Sequence, residues 1–146
     1  MHISILASIV AGVFASPMAT PAVQIHPSSY PGKCIDVHGE FKIGTPIVSW
    51  DCTTPANQTW MVLRGATHIV VANKDFCIYA EESVGYNATL VRCAQGQVFD
   101  YRYNRLMING TYPGLCLDLP GNDSQNGNPI TVADCNDATS WLTTPA

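Results

Sequence analysis

The chain contains the same short segment three times. Residues 30–37 read YPGKCIDV, residues 112–119 read YPGLCLDL, and a more divergent copy, NKDFCIYA, covers residues 73–80. Cys34, Cys77 and Cys116 align the copies at intervals of 43 and 39 residues. Such a period is typical of repeat architectures. The chain is therefore predicted to fold as three modules, covering about residues 23–63, 66–103 and 105–146.

Each module carries two cysteines, separated by 16 to 19 residues. Because equivalent cysteines should behave alike in equivalent modules, one pairing is predicted: Cys34 with Cys52, Cys77 with Cys93, and Cys116 with Cys135. Each disulfide would close a short loop, which the chain-entropy model values at about 3 kcal/mol. The chain has no C-x-x-C pair and its four histidines are scattered, so neither a metal site nor a cofactor is predicted.

The first residues differ in character from the rest. Residues 3–15 form an apolar and small-residue run of 13, too short to span a bilayer, which needs roughly 20 residues. The run matches the apolar part of a secretory signal, with Ala15 or Ala19 as the cleavage position, although it lacks Lys and Arg. Residues 1–19 are predicted to be a signal peptide and short leader, and residues 20–146 a single secreted domain. A buried terminal strand or helix is the alternative.

Four N-x-S/T sequons support a secretory route and mark candidate glycosylation sites. Their asparagines are Asn57, Asn87, Asn109 and Asn122. Charge points away from other partners. The net charge is -4 and the seven Lys and Arg residues form no run. Nucleic acids and anionic membranes require basic clusters, so neither is predicted as a partner.

Each module reads as four short strands separated by turn residues, and no segment after the leader shows helical periodicity. An aromatic residue begins the fourth strand of each module: Trp60, Phe99 and Trp141. Modules of about 40 residues cannot each bury a core, and a linear stack would need capping units. An all-β fold of twelve short strands is therefore predicted, with three modules sharing one core around a pseudo-threefold axis.

The first module carries the most specific motif. Residues 34–60 read CIDVHGEFKIGTPIVSWDCTTPANQTW, with the elements C-x-D, G-T-P, W-x-C and N-Q-x-W in order. This pattern resembles the ricin B-chain-type lectins, which include the family-13 carbohydrate-binding modules. The resemblance covers about residues 23–142. It implies a β-trefoil and a secreted carbohydrate-binding protein, specific for galactose-like sugars and without catalysis, whose partners are glycans.

The resemblance also implies a set of binding residues in the first module. Asp36 is expected to accept hydrogen bonds from sugar hydroxyls, Trp50 to stack on the ring, and Asn57 to donate to the sugar. Gln58 is expected to orient Asp36 or Asn57, and His38 to form part of the rim. A turn-capping role for Asp36 and a core position for Trp50 are the structural alternatives.

The other two modules carry incomplete sets. In the second, Tyr79 and Val91 replace the carboxylate and the stacking residue, which indicates a structural module. The third keeps Asp118 but has Ala133 in place of the aromatic residue. Its shorter loop puts Ala138 or Asn136 at the amide position. Asp118 and Asn136 are therefore a second, weaker candidate site.

Two other functions remain as hypotheses. A glycosidase would need two carboxylates about 5 to 9.5 Å apart across a cleft. Asp36 and Asp51 could lie close together, but three modules use the whole chain and leave no second domain to form a cleft. Catalysis is therefore not predicted. The main alternative is a lectin-derived interaction protein or inhibitor that has lost sugar binding, because a fold does not dictate a function.

Overall fold

The computed structural model describes residues 20–53 and 55–146, and the predicted signal segment, residues 1–19, lies outside them. The described chain is all-β, with only three single-turn 3-10 helices at Ala56–Gln58, Cys93–Gln95 and Pro120–Asn122. The strands are β1 (Val23–Pro27), β2 (Lys33–Val37), β3 (Ile47–Asp51), β4 (Trp60–Met61), β5 (Gly65–Thr67), β6 (Val70–Val71), β7 (Cys77–Tyr79), β8 (Thr89–Val91), β9 (Phe99–Arg102), β10 (Arg105–Ile108), β11 (Leu115–Asp118), β12 (Asn128–Pro129), β13 (Thr131–Asp134) and β14 (Trp141–Pro145). No helix in this part of the chain is long and apolar enough to cross a membrane.

The strands form three antiparallel sheets that join the modules to one another. One sheet has the order β14-β1-β4-β6-β7-β8, the second β13-β11-β10-β9-β5, and the third β12-β3-β2. The first and last strands pair along their length, from Val23 opposite Pro145 to Pro27 opposite Trp141. The third module is thereby joined to the first, and the three modules form a closed ring.

A ring of backbone hydrogen bonds marks the pseudo-threefold axis. Ile47 N donates to Ala88 O (3.1 Å), Ala88 N to Ile130 O (2.8 Å), and Ile130 N to Ile47 O (2.9 Å). All three residues are fully buried. Each module supplies one donor and one acceptor. The pseudo-threefold arrangement predicted from the repeat and the β-trefoil implied by the resemblance are therefore confirmed.

A glycine in each module makes a second set of equivalent contacts. Its N–H donates to a strand of another module over 2.8 Å, in the pairs Gly44 to Leu90 O, Gly85 to Val132 O and Gly127 to Ser49 O. The three glycines have φ values of 89°, 92° and 89°. This left-handed conformation costs side-chain-bearing residues free energy, whereas glycine adopts it readily.

Two predicted strands are interrupted because the chain changes partner along them. The predicted strand 128–135 becomes β12, paired with β3, and β13, paired with β11. Ile130 separates the two because its N–H is used at the axis. The predicted strand at 68–72 contributes only β6, while β5 precedes it and joins a different sheet. Fourteen strands therefore stand in the described chain where twelve were predicted.

The aromatic residues of the three modules lie together in the shared core. Trp60, Phe99 and Trp141 are all fully buried. Both tryptophans also satisfy a buried carbonyl in the same way, since Trp60 Nε1 donates to Ile35 O and Trp141 Nε1 to Leu117 O, each over 3.0 Å. Phe99 has no donor, so the second module fills the same space without this bond.

The structure forms the three disulfides that the repeat predicts: Cys34–Cys52, Cys77–Cys93 and Cys116–Cys135. His26 Nδ1 lies 3.5 and 3.3 Å from the two sulfurs of the first disulfide. Those sulfurs are bonded to each other and are not thiolates, the form in which cysteine binds zinc. The cluster is thus a buried histidine packed on a disulfide.

The glycine contacts lead to a stability prediction. An added Cβ at Gly85 would meet no atom within 4 Å, but the residue must keep its φ of +92°. Gly85→Ala should therefore lower the free energy of unfolding by about 1–2 kcal/mol, as measured by urea unfolding with the disulfides intact. Gly32→Ala is the matched control, because its Cβ also meets nothing and its φ is not positive. Equal losses in both variants would contradict this account.

Candidate functional site

The first module brings its predicted residues to one shallow pocket. Asp36 lies on β2 and is paired with Val48 on the adjacent strand β3. Trp50 lies two residues after Val48, and because side chains alternate along a strand, Trp50 and Asp36 share the outward face. Asn57 comes from the 3-10 turn at Ala56–Gln58. The pocket has a volume of about 300 Å³ and is lined by Asp36, Val37, His38, Gly39, Trp50, Thr53, Pro55 and Asn57. We call it the first-module pocket.

Gln58 lies beneath this pocket and fixes the carboxylate. Its Nε2 donates to Asp36 Oδ2 (2.8 Å) and to Asp51 O (2.9 Å), and its Oε1 accepts from Thr53 N (2.8 Å). Gln58 is fully buried, so its side chain is held in one orientation. Among the described residues, no donor pairs with the other carboxylate oxygen, Asp36 Oδ1. That oxygen remains available to a ligand that offers hydroxyl groups.

The electrostatic state of Asp36 reflects its burial. The residue is only 7% exposed. Burial raises the pKa of its carboxyl above the ordinary value, while the hydrogen bond from Gln58 and the charge of His38 partly oppose this rise. The charged form of Asp36 is therefore poorly solvated by water. Hydroxyl groups of a ligand would stabilise that charge by donating hydrogen bonds to it.

Trp50 is held at the surface and does not belong to the core. Its ring is partly exposed and stacks on His38, with ring centroids 5.5 Å apart and planes inclined by 26°. Gly127 lies behind it, at a distance where an added Cβ would stand 3.7 Å from the Trp50 ring. Trp50 therefore lies between His38 of its own module and a loop of the third module, and part of its ring stays exposed.

A polar network ties this third-module loop to the first module. Asn126 Oδ1 accepts from Lys33 Nζ (2.9 Å) and from Asp51 N (2.8 Å), and Asn126 Nδ2 donates to Asp51 Oδ2 (3.0 Å). Lys33 Nζ also pairs with Asp51 Oδ1 at 2.7 Å. The hydrogen bonds from Lys33 and Asn126 lower the pKa of Asp51. Sequence reasoning missed Asn126 because it lies 75 residues from Asp51.

Asn57 has two possible uses that exclude each other. Its side chain lines the first-module pocket, and its Nδ2 donates weakly to Val37 O over 3.3 Å. The same nitrogen would carry the glycan if this sequon were used, and the glycan would then fill the pocket. The other three sequon asparagines, Asn87, Asn109 and Asn122, are exposed.

The second module presents no carboxylate at the equivalent position. Tyr79 and Val91 lie on the paired strands β7 and β8. The side chain of Gln97, equivalent to Gln58, bonds to the backbone N and O of Ala80 over 3.0 and 2.8 Å. Gln97 therefore holds the backbone at Ala80, whereas Gln58 orients the side chain of Asp36.

The third module keeps an oriented carboxylate without a stacking residue. Asp118 Oδ1 accepts from the backbone N and the Oγ1 of Thr139, each over 2.8 Å. Thr139 thus orients Asp118 as Gln58 orients Asp36. In this alignment Ala138 occupies the position that Asn57 has in the first module. The adjoining pocket, of about 440 Å³, has no aromatic lining residue, and Asn136 is exposed and does not line it. Asp118 and Asn136 therefore do not converge as Asp36 and Asn57 do.

This geometry agrees with the comparison to family models. The model of the ricin-type beta-trefoil lectin domain matches residues 21–141. The chain belongs to this lectin family. A search of curated protein sequences finds no significant match.

Solved structures show the same fold. The ricin B-like lectin of Macrolepiota procera, solved in complex with lactose, is 18% identical with a TM-score of 0.69, over 88% of this chain and 97% of that one. The C-half of an earthworm R-type lectin, solved with GalNAc, is 17% identical with a TM-score of 0.69, over 86% and 99%. The β-trefoil lectin of the Vibrio vulnificus hemolysin/cytolysin, with N-acetyl-D-lactosamine bound, is 21% identical with a TM-score of 0.67, over 87% and 96%. At these identities the likeness establishes the fold.

The raised pKa of Asp36 predicts a particular stability profile. The folded protein holds this proton more readily than the unfolded chain, so Asp36 contributes most to stability at low pH and less as pH rises through its raised pKa. At neutral pH, Asp36→Asn should therefore equal or exceed the native protein in stability. Urea unfolding at several pH values tests this, and the native protein should approach the variant as pH falls. A clear loss of stability in the variant at neutral pH would contradict the assignment.

Proposed function

We propose that this lectin-family protein is secreted and binds galactose-like sugars through the first-module pocket, without catalysing a reaction. The observation that carries the proposal is the convergence of Asp36, Trp50 and Asn57 on one pocket. These side chains supply a carboxylate, an aromatic plate and an amide, which are the groups that a sugar needs.

Each group answers one feature of a pyranose. Asp36 Oδ1 accepts hydrogen bonds from ring hydroxyls, and charge-assisted bonds of this kind are the strong ones. The Trp50 ring covers an apolar C–H face, and the Asn57 amide can both donate and accept. An epimer with a misdirected hydroxyl would leave a buried polar group unpaired, which is how such a pocket selects among sugars.

The specificity is inferred from the relatives. The solved lectins carry lactose, GalNAc and N-acetyl-D-lactosamine, and all three ligands contain a galactose-type ring. Secretion is supported by the three disulfides, which persist in oxidising compartments. Binding to one pocket should be weak, and clustering would then be needed for strong attachment to a glycan-bearing surface.

The position of Asp51 argues against glycosidase chemistry. A glycosidase needs two carboxyl groups that face the same sugar. Asp36 lines the first-module pocket but Asp51 does not, and both oxygens of the Asp51 carboxylate are bonded, to Lys33 and to Asn126. Asp36 therefore has no second carboxylate across the pocket in Asp51, the only partner that the sequence suggested for it.

Sugar binding should depend on Asp36 and not on Asp118. In calorimetric titrations with lactose, Asp36→Asn should weaken binding at least about tenfold, because a hydrogen bond to a charged group contributes roughly 1.5–3 kcal/mol. Asp118→Asn, the matched substitution in the third module, should bind lactose like the native protein. All proteins should also carry Thr59→Ala, which removes the sequon but keeps Asn57.

Three results would contradict this proposal in different ways. Loss of binding in Asp118→Asn alone would move the site to the third module. Equal binding in all variants would place the site elsewhere. A native protein that binds no glycan in a broad panel would favour the lectin-derived interaction protein or inhibitor.

Lactose affinity should also fall at a higher pH than an ordinary aspartate would allow. The sugar binds the ionised carboxylate, so protonation of Asp36 removes binding, and its raised pKa brings that loss above the usual value of about 4. Titrations from about pH 8 down to about pH 4 would follow this, with circular dichroism confirming that the fold persists. Constant affinity down to pH 4 would contradict a role for Asp36.

A further inference from the structure

The hairpin between β9 and β10 has features that folding does not explain. Its turn residues, Tyr103 and Asn104, have φ values of 51° and 56°. Two-residue turns of this kind favour Asn and Gly, and a bulky side chain is disfavoured there. Tyr103 is nevertheless an aromatic residue with 92% of its surface exposed. The left-handed backbone of Tyr103 therefore costs free energy, and burial of its side chain offsets almost none of that cost.

The residues that flank this turn add a second conflict. Arg102 and Arg105 stand directly opposite each other on β9 and β10, and like charges in that position destabilise a strand pair. Arg102 donates through Nε to Asp100 Oδ1 over 2.8 Å, which leaves its terminal nitrogens free of that contact. The side chain of Arg105 makes no hydrogen bond or ion pair with any described residue, and only its backbone is paired, in the strand ladder. Local conflicts of this kind are expected at functional sites.

A cavity of about 220 Å³ lies against these side chains. Side chains alternate along a strand, so Asp100 and Arg102 share the outer face of the sheet with Arg105 and Met107. Met107 and the Cys116–Cys135 disulfide supply an apolar lining, Tyr103 an aromatic ring, and Arg102 and Arg105 two guanidinium groups, the first of which is paired with Asp100. We call this cavity the hairpin pocket. It shares no lining residue with the first-module pocket.

This combination of groups, which the second and third modules supply together, occurs only beside the third disulfide in the described chain. The corresponding hollow beside the Cys77–Cys93 disulfide is lined by Met61 and Val70, with Lys74 and Asp75 of opposite charge. An exposed histidine, His68, also lines it, but it has no tyrosine or tryptophan and no pair of arginines. Beside the first disulfide, buried His26 fills the space. The hairpin pocket is therefore not a general consequence of the repeated fold.

We propose that the hairpin pocket binds an acidic sugar, a pyranose that carries a carboxylate or a sulfate. Tyr103 and the apolar lining would contact the C–H face of the ring. The guanidinium groups of Arg102 and Arg105 would bind the anion, which their planar donor geometry suits. Bound anion would also relieve the repulsion between the two arginines. Asp100 also lines the pocket and pairs with Arg102, so the two arginines leave one net positive charge there, in a chain whose net charge is -4. That local positive charge attracts an anion.

The site is distinct from the one proposed for galactose-like sugars, and its test is designed to be independent of that proposal. We would use Asp36→Asn protein, in which the first-module pocket is disabled, and titrate it with galactose, galacturonic acid and galactose 6-sulfate. The three probes share one ring configuration and differ at carbon 6. Both acidic sugars, or the one whose anion fits, should bind at least about tenfold more tightly than galactose. Binding should weaken strongly in about 1 M NaCl, where screening extends over only about 3 Å.

Two further substitutions in this background assign the binding to the hairpin. Tyr103→Asn should weaken acidic-sugar binding about tenfold or more while the stability stays equal or rises, because Asn suits the left-handed turn. Unfolding could therefore not explain its loss of binding. Arg105→Gln should weaken binding to a similar degree. Arg92→Gln, at an exposed arginine outside the pocket, should bind as before.

The proposal is overturned if neither acidic sugar binds better than galactose. It is also overturned if binding survives in the combined Tyr103→Asn and Arg105→Gln protein. Lactose titration of the native Asp36 protein with the same two hairpin substitutions separates the two proposals. Lactose binding should persist there, whatever happens to the acidic sugars.

Discussion

The ring of backbone hydrogen bonds among Ile47, Ala88 and Ile130 is the contact on which the rest of the structure depends. Each module completes the ring only with the other two, so no module is a folding unit by itself. The ring and the paired terminal strands set the relative positions of the modules. Those positions bring Asn126 and Gly127 of the third module against Asp51 and Trp50 of the first. The first-module pocket is therefore supported by two modules, although one module supplies its lining.

Features that recur in each module could be predicted from the sequence alone. The three cysteine pairs and the buried aromatic residues Trp60, Phe99 and Trp141 recur at regular intervals, because closure of each module and filling of the core impose the same demand three times. The positions that face a ligand differ among modules. Asp36 keeps its partner in Gln58, Asp118 has exchanged that partner for Thr139, and the second module has lost the acid.

Features that arise between distant segments could not be predicted in this way. The break at Ile130 follows from a hydrogen bond to another module, and Asn126 acts on a residue 75 positions away. One local feature was missed as well. Arg102 and Arg105 are three residues apart, and the two-residue turn at Tyr103 and Asn104 puts them opposite each other. Tyr-Asn lacks the Asn-Gly or Asp-Gly signature of such turns, so the sequence did not indicate this register.

Burial of Asp36 makes its charged form less stable and also prepares it to accept hydrogen bonds from a ligand. Its raised pKa shows that the folded protein solvates the charge poorly, and the same shortage of donors is what a sugar can supply. The most direct test is an NMR titration with lactose that follows the indole N–H signals of the three tryptophans, with Thr59→Ala removing the sequon. The account predicts a saturable shift of Trp50 and little change in Trp60 and Trp141, which are fully buried. An unchanged Trp50 signal alongside measurable lactose binding would contradict the first-module pocket as the sugar site.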